Sequence, residues 1–157
     1  MSSLQPLPAQ HPTMPGQCLC GAVKIRVAQD IQPHLVFVCY CRDCQRNAGG
    51  HAQTVAVFPT SAVTIEHEDN MLTSYNIPGS QTFSGSVKVK TFCKACGCPI
   101  STIPMKWEGK STVLRTALFD GAQQAWPPTQ EWFTIARPPN MKPMDGVMQF
   151  EKIGKVQ

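Results

Sequence analysis

The feature that most constrains this chain is the placement of its eight cysteines, which do not scatter through the 157 residues. They fall into three tight groups: "CLCG" (Cys18, Cys20), "CYCRDC" (Cys39, Cys41, Cys44) and "CKACGC" (Cys93, Cys96, Cys98). The opening stretch "MSSLQPLPAQHPTMPG" has neither a basic n-region nor an apolar h-region, so it does not read as a signal peptide. A cytoplasmic location is therefore expected, and in a reducing compartment such clusters point to metal or catalysis and away from disulfides.

Cys93-x-x-Cys96-Gly has the form of a zinc knuckle, a tight turn that aims two thiolates at one ion, with glycine permitting the conformation after the second ligand. A structural zinc needs four ligands, and Cys18-x-Cys20-Gly is the natural partner. A four-thiolate site of this kind ties two distant strands together and supplies free energy that a small β domain needs. The grouping leaves Cys39, Cys41 and Cys44 for a second ion, and three ligands with an open position is the arrangement of catalytic zinc. A rival assignment has Cys98 close that second site as a fourth ligand, and spacing alone leaves both open.

Fourteen prolines and 11 glycines, with only 15% charged residues, argue for short elements and many turns, hence β structure. Period-two alternation or short apolar runs predict strands at "AVKIRV", "HLVFVC", "HAQTVAVF", "AVTIEH", "LTSYNI", "GSVKVKTF" and "STVLRTALF". A helical turn is expected from Cys44 to Gly50, and another with a short strand in "QQAWPPTQEWFTIA". Residues 1–15 read as a flexible leader and residues 16–157 as one domain.

The formal net charge is +4, with no block of like charges, so a nucleic-acid arm is not indicated. No stretch reaches the roughly 18 consecutive apolar residues of a membrane span. Neither a Ser-His-Asp order nor a phosphate-cradling glycine loop is present. His34 and His67 read as ordinary strand histidines, and His51 is the outside candidate for a proton shuttle because it follows the second cysteine group closely. The three tryptophans, Trp107, Trp126 and Trp132, read as core or pocket wall.

"GQCLCGAVKI", "CYCRDCQRNAGG" and "TFCKACGCPIS", in this order, resemble the glutathione-dependent formaldehyde-activating (GFA) family, which also includes centromere protein V. The resemblance runs from about Gly16 to Pro139. It implies a mainly β fold, a small zinc-binding arrangement of coiled antiparallel sheets with few short helical turns. It also implies two Zn²⁺ per chain: a structural ion on Cys18, Cys20, Cys93 and Cys96, and an active-site ion on Cys39, Cys41 and Cys44. The reaction it implies is a carbon–sulfur lyase or synthase step joining glutathione to formaldehyde. This sequence departs from the family's usual pattern at Tyr40, where His is common, at Cys98, in "HEDN" (His67 to Asn70) and at Asn140. These departures bear on the substrate and leave the metal ligands intact.

Three thiolates on Zn²⁺ leave a net charge near −1, which makes the ion a weak activator of water but a fit acceptor for a fourth sulfur. A coordinating thiol is deprotonated outright. Glutathione or a related thiol, with a small electrophile, is thus the expected pair of partners. Arg42, Arg46 and Lys94 lie near metal ligands in sequence, and a guanidinium can grip a carboxylate bidentately. Arg46, which matches the family motif, Asn47 and Gly49 are the expected substrate-binding residues. The alternatives are a glutathione- and zinc-dependent isomerase, dehydratase or lyase on a larger electrophile, and a non-enzymatic zinc module that binds a protein. The sequence leaves a homo-oligomer open.

Overall fold

The computed structural model describes residues 14–154, so most of the expected leader lies outside the described residues. Its strands are β1 (Gly16–Gln17), β2 (Val23–Val27), β3 (Leu35–Cys39), β4 (Gln53–Pro59), β5 (Val63–His67), β6 (Leu72–Ile77), β7 (Lys88–Cys93), β8 (Pro99–Pro104), β9 (Ser111–Arg115), β10 (Gln130–Trp132) and β11 (Met148–Phe150). Two helices accompany them, α1 (Arg42–Ala48) and α2 (Ala122–Ala125). The protein is mainly β, as the sequence indicates.

Two sheets form. The smaller has the order β1-β2-β5 and the larger the order β11-β10-β3-β4-β9-β8-β7-β6. In β2 the alternation of Val23, Ile25 and Val27 with Lys24 and Arg26 becomes a strict buried–exposed pattern, as one wet face requires. In β3 all five residues are buried, so the run "LVFVC" has protein on both faces.

Both faces of the large sheet carry a core because side chains alternate across β3, β4 and β9. Val36, Ala56, Phe58 and Leu114 pack toward the small sheet with Ile25 and Trp126. Leu35, Phe37, Val55, Val57 and Val113 pack on the opposite face with Trp132 and Cys39. Phe37 and Trp132 stack with ring centroids 3.9 Å apart. Trp126 meets Phe58 and Phe119 edge to face. These two tryptophans are core residues, and Trp107 packs against the second cluster.

Three features differ from the sequence expectation. β8 pairs with both β7 and β9, although "PISTIP" does not read as an inner strand; its prolines stand at the two ends, where a missing N–H costs least. The "STVLRTALF" run stops being a strand at Arg115 and turns through Thr116–Leu118 in a 3-10 helix. Finally β10 pairs in parallel with both β3 and β11, so the sheet is antiparallel except at this edge. β10 is the short strand expected in "QQAWPPTQEWFTIA"; what the sequence does not announce is its parallel pairing, which needs long connections, and the "MQF" strand beside it.

Candidate metal centres and cavity

The knuckle turn is built as its sequence suggests. Gly97 N–H donates to Cys93 O at 2.9 Å, and Gly97 takes φ +70°, a backbone conformation that a Cβ would strain. Cys93 thus ends β7 and Cys96 stands in the turn. Cys18 and Cys20 approach from the segment between β1 and β2, and the four sulfurs lie within 4.8 Å of one another. Cys18 Sγ to Cys20 Sγ is 3.6 Å and Cys20 Sγ to Cys93 Sγ is 3.7 Å. A zinc–sulfur bond of about 2.3 Å in a tetrahedron places its sulfurs about 3.8 Å apart, whereas a disulfide needs about 2.05 Å. The donor set and its spacing therefore fit zinc.

Backbone N–H groups already favour thiolates here. Val23 N–H donates to Cys18 Sγ at 3.3 Å. Burial works against ionising Cys96, but the backbone N–H groups of Cys98 and Cys20 and the neighbouring thiols outweigh it and hold Cys96 down to about 6.

The second centre forms where β3 leads into α1. Cys39 is the last residue of the strand, Cys41 caps the helix and Cys44 lies in its first turn. Their sulfurs also lie within 4.8 Å of one another, and among the described residues no further Cys, His, Asp or Glu joins them. Cys98 is not in this group, nor in the other; its thiol points to Pro99 O at 3.9 Å. Hydrogen bonds from Cys39 and then Cys44 hold Cys41 down to about 2, while the same contacts with Cys41 and Cys44 push Cys39 far up. A divalent ion held by the trio would displace the thiol protons that remain.

The residues around this centre come from the sheet more than from the neighbouring sequence. Arg42 and Arg46 are exposed on α1, and Lys94 is exposed in the knuckle turn. Asn47 turns inward: its Nδ2 donates to Gln53 Oε1 at 3.4 Å, and its Oδ1 is buried without a partner. Gly49 closes the helix at φ +63° with its N–H on Gln45 O, and it is exposed. His51 is exposed as well. Sequence reasoning missed Arg115 and Lys88, whose positions on β9 and β7 are brought near the cysteines only by strand pairing. Lys88 is close enough for its charge to act on Cys41, and Arg115 for its charge to act on Cys44.

Tyr40, between Cys39 and Cys41, is also explained by distant residues. Its O–H donates to Glu131 Oε1, and the Arg137 guanidinium lies 5.1 Å over its ring. Glu131, fully buried, further accepts from Met144 N–H at 2.8 Å and from Gln149 Nε2 and pairs with Arg137 at 3.2 Å. The network clamps the β10–β11 edge beside the second centre.

A cavity of about 970 Å³ is lined by Cys18, Cys98, Ala48 and Gln53 among others, with Arg115 in its wall. The three cysteines of the second centre do not line it, but Gln53 does, and Gln53 is the cross-strand partner of Cys39.

The family model for the glutathione-dependent formaldehyde-activating enzyme matches residues 13–136. The chain belongs to this family. Among solved structures, a likeness of fold is found in a Rhodobacter sphaeroides protein, with a TM-score of 0.53 and 20% identity over 87% of this chain and 99% of that one. A comparison with curated proteins returns no match. All seven cysteines that carry the GFA motifs lie in the two clusters, and the eighth, Cys98, stands apart. Among the described residues no helix is long and apolar enough to cross a membrane.

Proposed function

We propose that the protein is a cytoplasmic zinc-dependent carbon–sulfur lyase or synthase that joins glutathione to a small aldehyde, as S-(hydroxymethyl)glutathione synthase would. The observation that carries this reading is a three-cysteine centre with no fourth protein ligand among the described residues, set beside a cavity. Family membership supports it.

Cys39, Cys41 and Cys44 would hold the reactive zinc, and Cys18, Cys20, Cys93 and Cys96 the structural one. Zinc at the first of these sites supplies a positive charge that favours the thiolate form of an incoming thiol. The chain's own residues bind and orient. Asn47 and Gln53 present amides between α1 and the cavity, Arg46 offers a charge on the exposed helix face, and Gly49 leaves the helix end open to approach. The reaction itself needs little more: a C–S bond forms between thiol sulfur and aldehyde carbon, the carbonyl π bond becomes a hydroxyl, and the thiol proton ends on that oxygen. In the reverse direction the same C–S bond breaks.

The size of the cavity favours a second reading. About 970 Å³ is at the upper end of pockets that hold drug-sized ligands, which leaves room for an electrophile larger than formaldehyde. A larger glutathione-bound electrophile, isomerised, dehydrated or cleaved, fits the same centre.

The test is the rate at which formaldehyde and glutathione equilibrate. The zinc-loaded protein should accelerate it and Cys44→Ala should not. An unchanged rate with the wild-type protein would remove the formaldehyde reaction, and turnover of a larger thioether substrate would then favour the second reading.

A further inference from the structure

Arg115 is only 5% exposed, yet it has no carboxylate partner among the described residues. Its Nη1 donates to Val113 O at 3.0 Å and its Nη2 to Thr102 Oγ1 at 2.7 Å. A guanidinium has five N–H donors in a fixed fork, so these two bonds leave most of it unused, and Nε is buried with no partner at all. A buried cation in this state is costly unless an anion meets it. The neighbouring cation, half-buried Lys90, makes the deficit larger: its cross-strand partner on β8 is Thr102, the residue that Arg115 holds. Arg115 also forms part of the cavity wall, with Gln53, Thr54 and Thr116 nearby in the lining.

We propose that Arg115 is the carboxylate-recognition residue of the cavity, so that the site selects thiols bearing a carboxylate over neutral ones. The assignment deepens the proposed thiol chemistry and rests on it for the identity of the ligand. Arg115 can serve because desolvation lowers its pKa only to about 10, so the group stays cationic at neutral pH. Its location suits the task, since its charge reaches Cys44 and the residue forms part of the cavity wall, so that one tripeptide can span both. The residue expected from sequence for this role, Arg46, is exposed on the helix. A plainer role for Arg115 is to offset the net negative charge of three zinc-bound thiolates, and the two roles predict different outcomes.

The experiment is calorimetric binding of S-methylglutathione and of its dimethyl ester to the zinc-loaded wild-type protein, Arg115→Gln and Arg115→Lys. S-methylglutathione has no free thiol, so it reports carboxylate binding independently of any sulfur chemistry. The wild-type protein should prefer the acid to the ester by about 30-fold or more, as expected for a buried charged hydrogen-bonded pair. Arg115→Gln should bind both alike, with Arg115→Lys between the two. The inference is overturned if the wild-type protein treats acid and ester alike, if it fails to bind the acid at millimolar concentration, or if Arg115→Gln keeps the preference and loses only zinc. Should Arg115→Gln not fold, the wild-type and Arg115→Lys comparisons decide. A persisting acid preference without turnover of glutathione would bring down the proposed reaction alone.

Discussion

Cys20 Sγ lies 3.7 Å from Cys93 Sγ, although the two residues are 73 apart in sequence. This single contact joins the segment between β1 and β2 in the small sheet to the end of β7 in the large one. Closing so long a loop costs conformational entropy that two thiols in van der Waals contact do not offset, whereas zinc shared among four thiolates does. Cys93→Ser should therefore lower bound zinc by about one equivalent and destabilise the fold by at least about 4 kcal/mol, beyond an ordinary point substitution. Metal analysis with thermal unfolding checks both.

Cys44→Ala should behave differently from Cys93→Ser. Its centre sits at a strand end and a seven-residue helix, and the large sheet does not depend on it for closure. The variant should lose the second zinc equivalent and turnover while its unfolding midpoint falls by only a few degrees. Zinc content and circular dichroism measured on the same sample test this.

Cys98→Ser should keep both zinc ions. The sequence left open that Cys98 closes the second centre, but its sulfur belongs to neither cluster. A loss of one zinc equivalent in this variant would return Cys98 to the ligand set.

Glu131 gives the stability a pH dependence of known sign. Burial raises its pKa, but the Tyr40 O–H, Gln149 and Met144 N–H donors and the Arg137 charge outweigh that and leave it lowered. A carboxylate with a lowered folded pKa contributes stability above its ordinary pKa and loses it as pH falls through the folded value. The unfolding midpoint should thus drop more steeply below about pH 5 in the wild-type protein than in Glu131→Gln. At neutral pH, Glu131→Gln should cost about 3 kcal/mol because Arg137 is left buried without its counter-charge.

Much of the fold was legible because it rests on local alternation. The pattern in "VKIRV" and the apolar run in "LVFVC" gave β2 and β3, and Leu72–Ile77 matches β6 residue for residue. The cysteine groups were legible for a different reason: thiols that can share one metal ion from a tight turn keep fixed short spacings. What sequence did not show depends on strand pairing. Arg115 lies 71 positions from Cys44, and nothing local marks it as a neighbour, yet its pairing with Val55 on β4 places it near the centre. Arg42 and Lys94, close to the ligands along the chain, are exposed. The Glu131 clamp on Tyr40 was hidden likewise, since β10 reaches β3 by a parallel pairing across most of the chain.

The central claim is that the centre of Cys39, Cys41 and Cys44 accepts a thiol as its fourth ligand. The most direct measurement is the absorption spectrum of the protein with cobalt in place of zinc, titrated with glutathione. Two cobalt equivalents should bind, and glutathione should change the sulfur-to-cobalt bands of one of them in the wild-type protein and none in Cys44→Ala. Two bound equivalents with a spectrum that glutathione leaves unchanged would contradict the account and make both centres structural.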